Sequence, residues 1–158
     1  MRDRIRPRAG QDGFSLIELL IVVLIIGILA AVALALFVNQ STKGADAAAK
    51  SQIGTLQTAM DSYAAEHAGT FSGVTLEALQ ELEPTLNDTS TAEPKVGAET
   101  KGGTAPSQTE FEVESIAEGS GNSYMLKSVS GTVSRTCEVK SESDPGGCTL
   151  TSGKTGTW

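Results

Sequence analysis

The sequence has few of the residues from which enzyme active sites are built. Its 158 residues include one histidine and two cysteines, so very few residues could form a nucleophile paired with a histidine base. It contains no Gly-rich phosphate-binding loop, and the carboxylates near Asp88 and Asp144 are too few to predict a calcium site. We therefore expect a protein that is not an enzyme and has no cofactor and no metal site.

Basic residues are also scarce, and they are unevenly placed. The chain has 12 Lys and Arg against 19 Asp and Glu, and four of the basic residues come first: Arg2, Arg4, Arg6 and Arg8. When these arginines, Asp3 and Asp12 are left out, the chain after Gly13 contains 8 basic and 17 acidic residues. An acidic surface repels phosphate backbones, so no nucleic acid is predicted as a direct partner.

What the sequence does contain is one long apolar run. The 20 residues from Leu19 to Val38 carry no charge, and as a helix they would be about 30 Å long, the thickness of a bilayer's hydrocarbon core. Because the four arginines precede the run, the positive-inside rule places the N-terminus in the cytoplasm and the residues after Val38 outside. The pattern predicts a single membrane pass.

The two cysteines, Cys137 and Cys148, lie on the far side of this run. They would be free thiols in the cytosol and a disulfide in an oxidising compartment. The predicted topology favours the disulfide, and closing a loop of about a dozen residues would stabilise the fold by roughly 3 kcal/mol.

Two ordinary explanations of the apolar run leave Glu18 unexplained. A secretory signal peptide would be cut after Ala35, yet a charge opens the run and apolar residues continue beyond that point. A plain membrane anchor would tether an extracytoplasmic binding domain, but a carboxylate at the centre of a membrane helix costs roughly 2.5 to 3.5 kcal/mol and usually has a partner.

The stretch GFSLIELLIVVLIIGILAA, which starts at Gly13, resembles the N-terminal segment of type IV pilins and of the pseudopilins of type II secretion. The resemblance implies that prepilin peptidase cuts between Gly13 and Phe14 and methylates the new amine of Phe14. Glu18 follows four residues later, so the two groups would share one helix face. The sequence departs from many pilins because Ala31 to Val38 contain no proline.

A buried carboxylate needs a cation or a proton. The amine of a neighbouring subunit would supply that cation to Glu18 in a helical filament, so the resemblance implies a homo-oligomer. It also implies prepilin peptidase, the inner-membrane pilus or secretion machinery and, before assembly, membrane lipid as partners. The precursor would lie in the cytoplasmic membrane, and the filament at the cell surface. Adhesion, motility, DNA uptake and a secretion pseudopilus all remain open.

The remaining chain predicts an α+β protein of the pilin type. An apolar stripe extends the first helix to about Glu66, and its members are spaced three and four residues apart: Ala49, Ile53, Leu56, Met60 and Tyr63. A short helix is expected between Thr75 and Pro84, because Thr75 can cap it and Pro84 can end it. The following stretch to Thr109 has little to bury and predicts an exposed or poorly ordered loop.

Three alternating segments from Glu110 onward predict an antiparallel β-meander. Phe111 and Val113 would face the helix, leaving Glu112 and Glu114 in water. Trp158 is expected to dock on the sheet. The expected organisation is a removable leader at 1–13, a membrane and assembly segment at 14–38, a helical segment at 39–68, a connecting segment at 69–109, and a meander with a disulfide-bounded loop at 110–158.

Overall fold

The computed structural model describes residues 13–158. The basic leader predicted from Arg2, Arg4, Arg6 and Arg8 lies outside the described residues, apart from Gly13. The chain divides into two compact units, residues 1–38 and 39–158. One helix, α1 (Leu16–Glu66), has residues in both.

The first unit contains the apolar part of α1. From Leu16 to Leu34 the helix has a mean hydropathy of 3.1 and none of this stretch is buried. It is long and apolar enough, by length and composition, to cross a membrane. Its large apolar side chains from Ile17 to Leu34, and that of Phe37, are between 44% and 70% exposed.

The second unit begins with the remainder of α1, whose apolar stripe is buried as predicted. Ile53, Leu56 and Met60 are completely inaccessible to solvent, and Tyr63 is 8% exposed. The helix ends at Glu66, and Gly69 follows with φ +82° while its N–H donates to the carbonyl of Ala64 at 2.7 Å. A glycine in this left-handed conformation is a common way to terminate a helix.

The predicted short helix is confirmed as α2 (Leu76–Leu82). The hydroxyl of Thr75 accepts a hydrogen bond from the N–H of Ala78 at 3.3 Å, which caps the helix. Pro84 then begins a 3-10 turn, Pro84–Asn87. Leu79 and Leu86 are fully buried, so this connection contributes to the core.

A six-stranded antiparallel sheet completes the α+β fold. Its order is β1-β2-β3-β4-β6-β5, with strands β1 (Ala92–Val96), β2 (Glu110–Ala117), β3 (Ser123–Val129), β4 (Thr132–Glu138), β5 (Thr149–Ser152) and β6 (Thr155–Thr157). The predicted meander is confirmed as β2, β3 and β4. The C-terminal segment adds the hairpin β5–β6, which pairs with β4 at Cys137 and Glu138.

The prediction of an exposed or poorly ordered stretch before Thr109 was wrong in its central part. Residues Ala92–Val96 form strand β1, paired antiparallel with β2. Ala92, Pro94 and Val96 are buried and alternate with more exposed residues. These three small or β-branched side chains are enough for an edge strand, and proline is tolerated there because one side of the strand needs no ladder hydrogen bonds.

The prediction that Glu112 and Glu114 face water was also wrong, because they are only 5% and 3% exposed. Residues 97–103, which we call the cover segment, lie over the outer face of the sheet. The Thr100 hydroxyl donates to Glu112 at 3.2 Å, and the Lys101 N–H donates to Glu114 at 2.7 Å. Alternation along a strand predicts two faces but cannot show that a distant segment covers the polar one.

Candidate functional site

The segment for which processing was predicted lies at the start of the described chain. Gly13, Phe14 and Ser15 precede α1 and are exposed, and the Phe14 side chain is 81% accessible. The helix begins at Leu16, and the Ser15 carbonyl accepts a backbone hydrogen bond from the Leu19 N–H at 3.1 Å. The Gly13–Phe14 peptide bond therefore lies outside regular structure, in a segment that a peptidase could bind in extended form.

Glu18 lies in the first turn of α1 and is exposed. A carboxylate there interacts favourably with the positive end of the helix dipole. It forms no ion pair within the part of the chain that the structure describes. The first basic residue after Glu18 in the sequence is Lys43.

The second candidate region is the disulfide-bounded loop, residues 137–148. Cys137 and Cys148 form a disulfide, as predicted, with their Cα atoms 6.0 Å apart. The loop turns back through Gly146 and Gly147, whose φ angles are +56° and +78°, and the Cys148 N–H donates to the Pro145 carbonyl at 2.8 Å. Glycine adopts this left-handed conformation without the strain that a side chain would cause.

A buried polar cluster fastens this loop to α1. One oxygen of Asp46, Oδ1, accepts hydrogen bonds from the Ser120 hydroxyl at 2.6 Å and from the Asn122 side-chain amide at 3.1 Å. Asn122 in turn accepts a hydrogen bond from the Lys140 N–H at 2.9 Å. We call this the Asp46 cluster, and it comprises Asp46, Lys50, Ser120, Asn122, Tyr124 and Gly146.

The carbonyl of Gly146 is the point at which the loop joins the cluster. It accepts hydrogen bonds from the Lys50 ammonium at 2.7 Å and from the Tyr124 hydroxyl at 2.9 Å. Burial, and after it the negative charge of Asp46, raises the pKa of the Tyr124 hydroxyl well above its usual value. The hydroxyl therefore keeps its proton and can donate it to the Gly146 carbonyl, which holds the loop on the inner face of the sheet.

Gly146 could not be replaced without moving this cluster. A Cβ built on Gly146 would overlap both the Asp46 carboxylate and the Tyr124 hydroxyl. The second carboxylate oxygen of Asp46, Oδ2, is buried and has no hydrogen-bond partner among the described residues. The space beside it is thus filled by the glycine backbone, which makes the close approach possible.

Trp158 docks on the sheet, as predicted. Its indole N–H donates to the Thr136 carbonyl at 2.9 Å, and its ring meets that of Tyr124 edge to face with centroids 5.8 Å apart. The Arg135 guanidinium lies 5.7 Å from the indole centroid. The C-terminal hairpin is therefore held beside the disulfide and the Asp46 cluster.

Sequence reasoning missed the Asp46 cluster, although one signal was available. Asp46 lies three residues before Ala49 and seven before Ile53, which puts it on the buried face of α1. An acidic residue on an otherwise apolar stripe predicts a buried partner. Which residues supply that partner depends on two loops far away in sequence, around Ser120 and Gly146.

Comparisons with known proteins place the N-terminal segment in a family context. The family model for the prokaryotic N-terminal methylation motif matches residues 8–34. A curated relative, fimbrial protein Q of Moraxella bovis, is 39% identical over 98 residues, which are 62% of this chain. This chain spans 54% of that protein's length.

No solved structure matches this chain. The fold described above nevertheless agrees with the pilin type in its long N-terminal helix, its antiparallel sheet and its C-terminal disulfide. The matched motif covers Gly13, Phe14 and Glu18, the residues singled out from the sequence. The chain therefore carries the prokaryotic N-terminal methylation motif, the type IV pilin signal, on a pilin-like α+β fold.

Proposed function

We propose that this chain is a structural subunit of a type IV pilus-like filament and not an enzyme. The observation that carries the proposal is the position of the methylation motif. Residues 8–34 include the exposed Gly13–Phe14 bond and most of the apolar part of α1. The motif therefore coincides with a segment that has one part to remove and one part to retain.

In this proposal, prepilin peptidase cleaves after Gly13 and methylates the amine of Phe14. Cleavage on the N-terminal side of the apolar run leaves that run on the mature subunit. An ordinary signal peptidase would instead remove the apolar run. The proposed segments are those expected from the sequence: a leader at 1–13, an assembly segment at 14–38, a helical segment at 39–68, a connecting segment at 69–109, which also contains strand β1, and the meander with its disulfide-bounded loop at 110–158.

Assembly would be driven by the exposed apolar part of α1. The exposed apolar side chains from Ile17 to Leu34, and that of Phe37, would be covered by lipid in the precursor and by the helices of other subunits in the filament. Glu18 lacks a cationic partner in the described chain. The amine of Phe14 in a neighbouring subunit would supply one, and it exists only after cleavage, so processing would permit assembly.

The proposed precursor spans the cytoplasmic membrane once with its N-terminus inside, and the assembled subunit is found at the cell surface. Prepilin peptidase and the inner-membrane assembly machinery are its proposed partners, together with further copies of the chain. The outer location agrees with the disulfide between Cys137 and Cys148, because disulfides persist in oxidising compartments.

The pseudopilin of a type II secretion system remains the alternative. The relative named as a fimbrial protein favours the pilus. Deleting the gene and scoring adhesion, twitching, DNA uptake and secretion in the same strain would separate the two. Loss of secretion with normal surface filaments would support the alternative.

The N-terminal mass of the mature protein tests the processing step. We expect the mature chain, isolated from cells that contain prepilin peptidase, to start at N-methylated Phe14. The same chain from cells without the peptidase should retain Met1. A mature chain that starts at Met1 or at Leu36 would contradict the proposal and favour a membrane anchor or an ordinary signal peptide.

Replacing Glu18 tests its role in assembly. We expect Glu18→Ala to be processed normally but to yield at least tenfold fewer filaments, because the charge that attracts the neighbouring amine is lost. Glu66→Ala, at the exposed C-terminal end of α1, is the matched control and should assemble as the unchanged chain does. Normal filament yield from processed Glu18→Ala would remove the proposed role.

A further inference from the structure

The middle of the disulfide-bounded loop lies on the surface between two buried ends. Residues 140–147, which we call the lid, include no residue that is fully buried. Val139 and Cys148, which flank the lid, are only 1% and 6% exposed. Because the disulfide also ties Cys148 to Cys137 at the end of β4, both ends of the lid are fixed to the sheet.

Between these fixed ends, polar contacts hold the lid in place. Asn122 accepts a hydrogen bond from the Lys140 N–H at one end, and the Gly146 carbonyl accepts bonds from Lys50 and Tyr124 at the other. None of residues 140–147 belongs to the apolar core. Water can replace hydrogen bonds of this kind at a small net cost, whereas it cannot replace apolar packing. The lid therefore has the contacts expected of a segment that opens locally.

The closed lid leaves one buried oxygen of Asp46 without a partner. Asp46 is 1% exposed, and while its Oδ1 accepts two hydrogen bonds, its Oδ2 accepts none from the described residues. The backbone of Gly146, in the lid, lies beside Oδ2. A buried acceptor that has lost its water and gained no donor is costly. Moving the lid away would let water reach Oδ2, so hydration of this oxygen favours the open lid.

The lid is also loosely packed against α1. A pocket of about 320 Å³ lies between Lys43 of α1 and residues 143–147 of the lid, which is more space than close packing leaves between two segments. Gly146 and Gly147, at the end of the lid, have φ angles of +56° and +78°. Glycine adopts both left-handed and right-handed conformations, so these two residues can change their backbone angles when the lid moves.

We propose that residues 140–147 open and close as one unit while the disulfide and Val139 stay in place. Opening separates the Gly146 carbonyl from Lys50 and Tyr124, and it exposes the Asp46 carboxylate and the Tyr124 hydroxyl to solvent. The second unit of the chain thus has a closed surface that hides this polar site and an open surface that presents it. The lid and its contacts lie within residues 39–158, so this motion does not depend on the filament proposal.

Amide hydrogen exchange, measured by NMR on the full-length, isotope-labelled chain in detergent micelles, tests the motion. The Lys140 amide is bonded across the lid, whereas the neighbouring Val139 amide donates to the Lys154 carbonyl at 2.8 Å, outside it. We expect Lys140 to exchange at least tenfold faster than Val139 and the buried Leu126, after correction for their intrinsic rates. Equal protection of the three amides would mean that the lid opens only on unfolding, and it would overturn the proposal.

A lysine variant tests whether the lid moves as one unit. Lys50→Met removes a donor to Gly146, at the far end of the lid from Lys140, and should accelerate exchange of the Lys140 amide at least fivefold. Lys43→Met removes the same charge from the same helix, at a lysine beside the lid, and should leave this rate unchanged. An unchanged rate in Lys50→Met, or equal acceleration in Lys43→Met, would contradict a single opening unit.

An aspartate variant tests the contribution of the unpaired oxygen. Asp46→Asn keeps an oxygen that can accept from Ser120 and Asn122 and removes the charge that is buried without a partner at Oδ2. We expect the Lys140 amide to exchange at least threefold more slowly. Asp61→Asn, at an exposed position of α1, is the control and should leave the rate unchanged. Faster or unchanged exchange of Lys140 in Asp46→Asn would show that the carboxylate does not favour the open lid.

Discussion

In the second unit, residues 39–158, which we call the head, close packing makes some single residues difficult to replace. Gly146 is the clearest case. Its carbonyl accepts two hydrogen bonds, and its Cα occupies the space beside the unpaired oxygen of Asp46. The same loop could be closed by the disulfide alone, but its position on α1 depends on this contact. The two features therefore have different roles. The disulfide closes the loop covalently, and Gly146 fixes the position of the loop on α1.

We predict that Gly146→Ala destabilises the head more than an alanine at another left-handed glycine. Gly103→Ala, at φ +63° with nothing within 4 Å of its Cβ, should cost only the backbone strain of about 1 to 2 kcal/mol. Gly146→Ala adds an overlap with Asp46 and Tyr124, for roughly 1 to 3 kcal/mol more. Urea unfolding followed by Trp158 fluorescence measures both, and equal losses would contradict the packing argument.

At the scale of elements, the cover segment reduces the solvent exposure of the outer face of strand β2. It converts the polar face of β2 into a buried layer, because Thr100 and Lys101 donate to Glu112 and Glu114. Gly102 permits the approach, since a Cβ there would overlap the Glu112 carboxylate. Lys127, on β3, lies 3.6 Å from Glu112 and supplies a further countercharge.

We predict that Glu114→Ala frees the cover segment locally. A hydrogen bond to a charged acceptor contributes about 1.5 to 3 kcal/mol, so the Lys101 amide should exchange its hydrogen at least tenfold faster. Glu110→Ala, on the same face of β2 and more exposed, is the control and should leave this rate unchanged. The fully buried Leu126 reports on the core, and an equal acceleration there would show global destabilisation instead.

For the whole molecule, the two units differ in how far their apolar residues are buried within the chain. The apolar part of α1 is exposed in this chain, and the proposed function assigns its covering to lipid and to other subunits. The head has its own core from Ala45 to Cys148. Its disulfide closes a loop with a sequence separation of 11.

We predict that the double variant Cys137→Ser, Cys148→Ser lowers the free energy of unfolding of the head by about 3 kcal/mol, because the unfolded chain regains the entropy of an open loop. Urea unfolding in detergent micelles measures the loss. Alkylation of the unchanged chain without reductant should label neither cysteine. Labelled thiols, or an unchanged unfolding midpoint in the variant, would contradict this role.

Periodicity and capping signals were sufficient for α1, for α2 and for the meander β2, β3 and β4. The stripe from Ala49 to Tyr63 predicted the second part of α1, and Thr75 with Pro84 predicted α2, since both depend on residues close together in the chain. The methylation motif was readable for the same reason, because Gly13, Phe14 and Glu18 lie within six residues.

The tertiary structure alone decided what depends on distant contacts. Glu112 and Glu114 follow the pattern of exposed residues, yet the cover segment buries them. Asp46 obtains its partners from Ser120 and Asn122, more than seventy residues away. Strand β1 lies in a stretch whose sequence has no clear strand pattern, yet it pairs with β2. Local patterns predicted both helices and the meander, but burial and pairing are properties of the folded chain, because they depend on which segments come together in space.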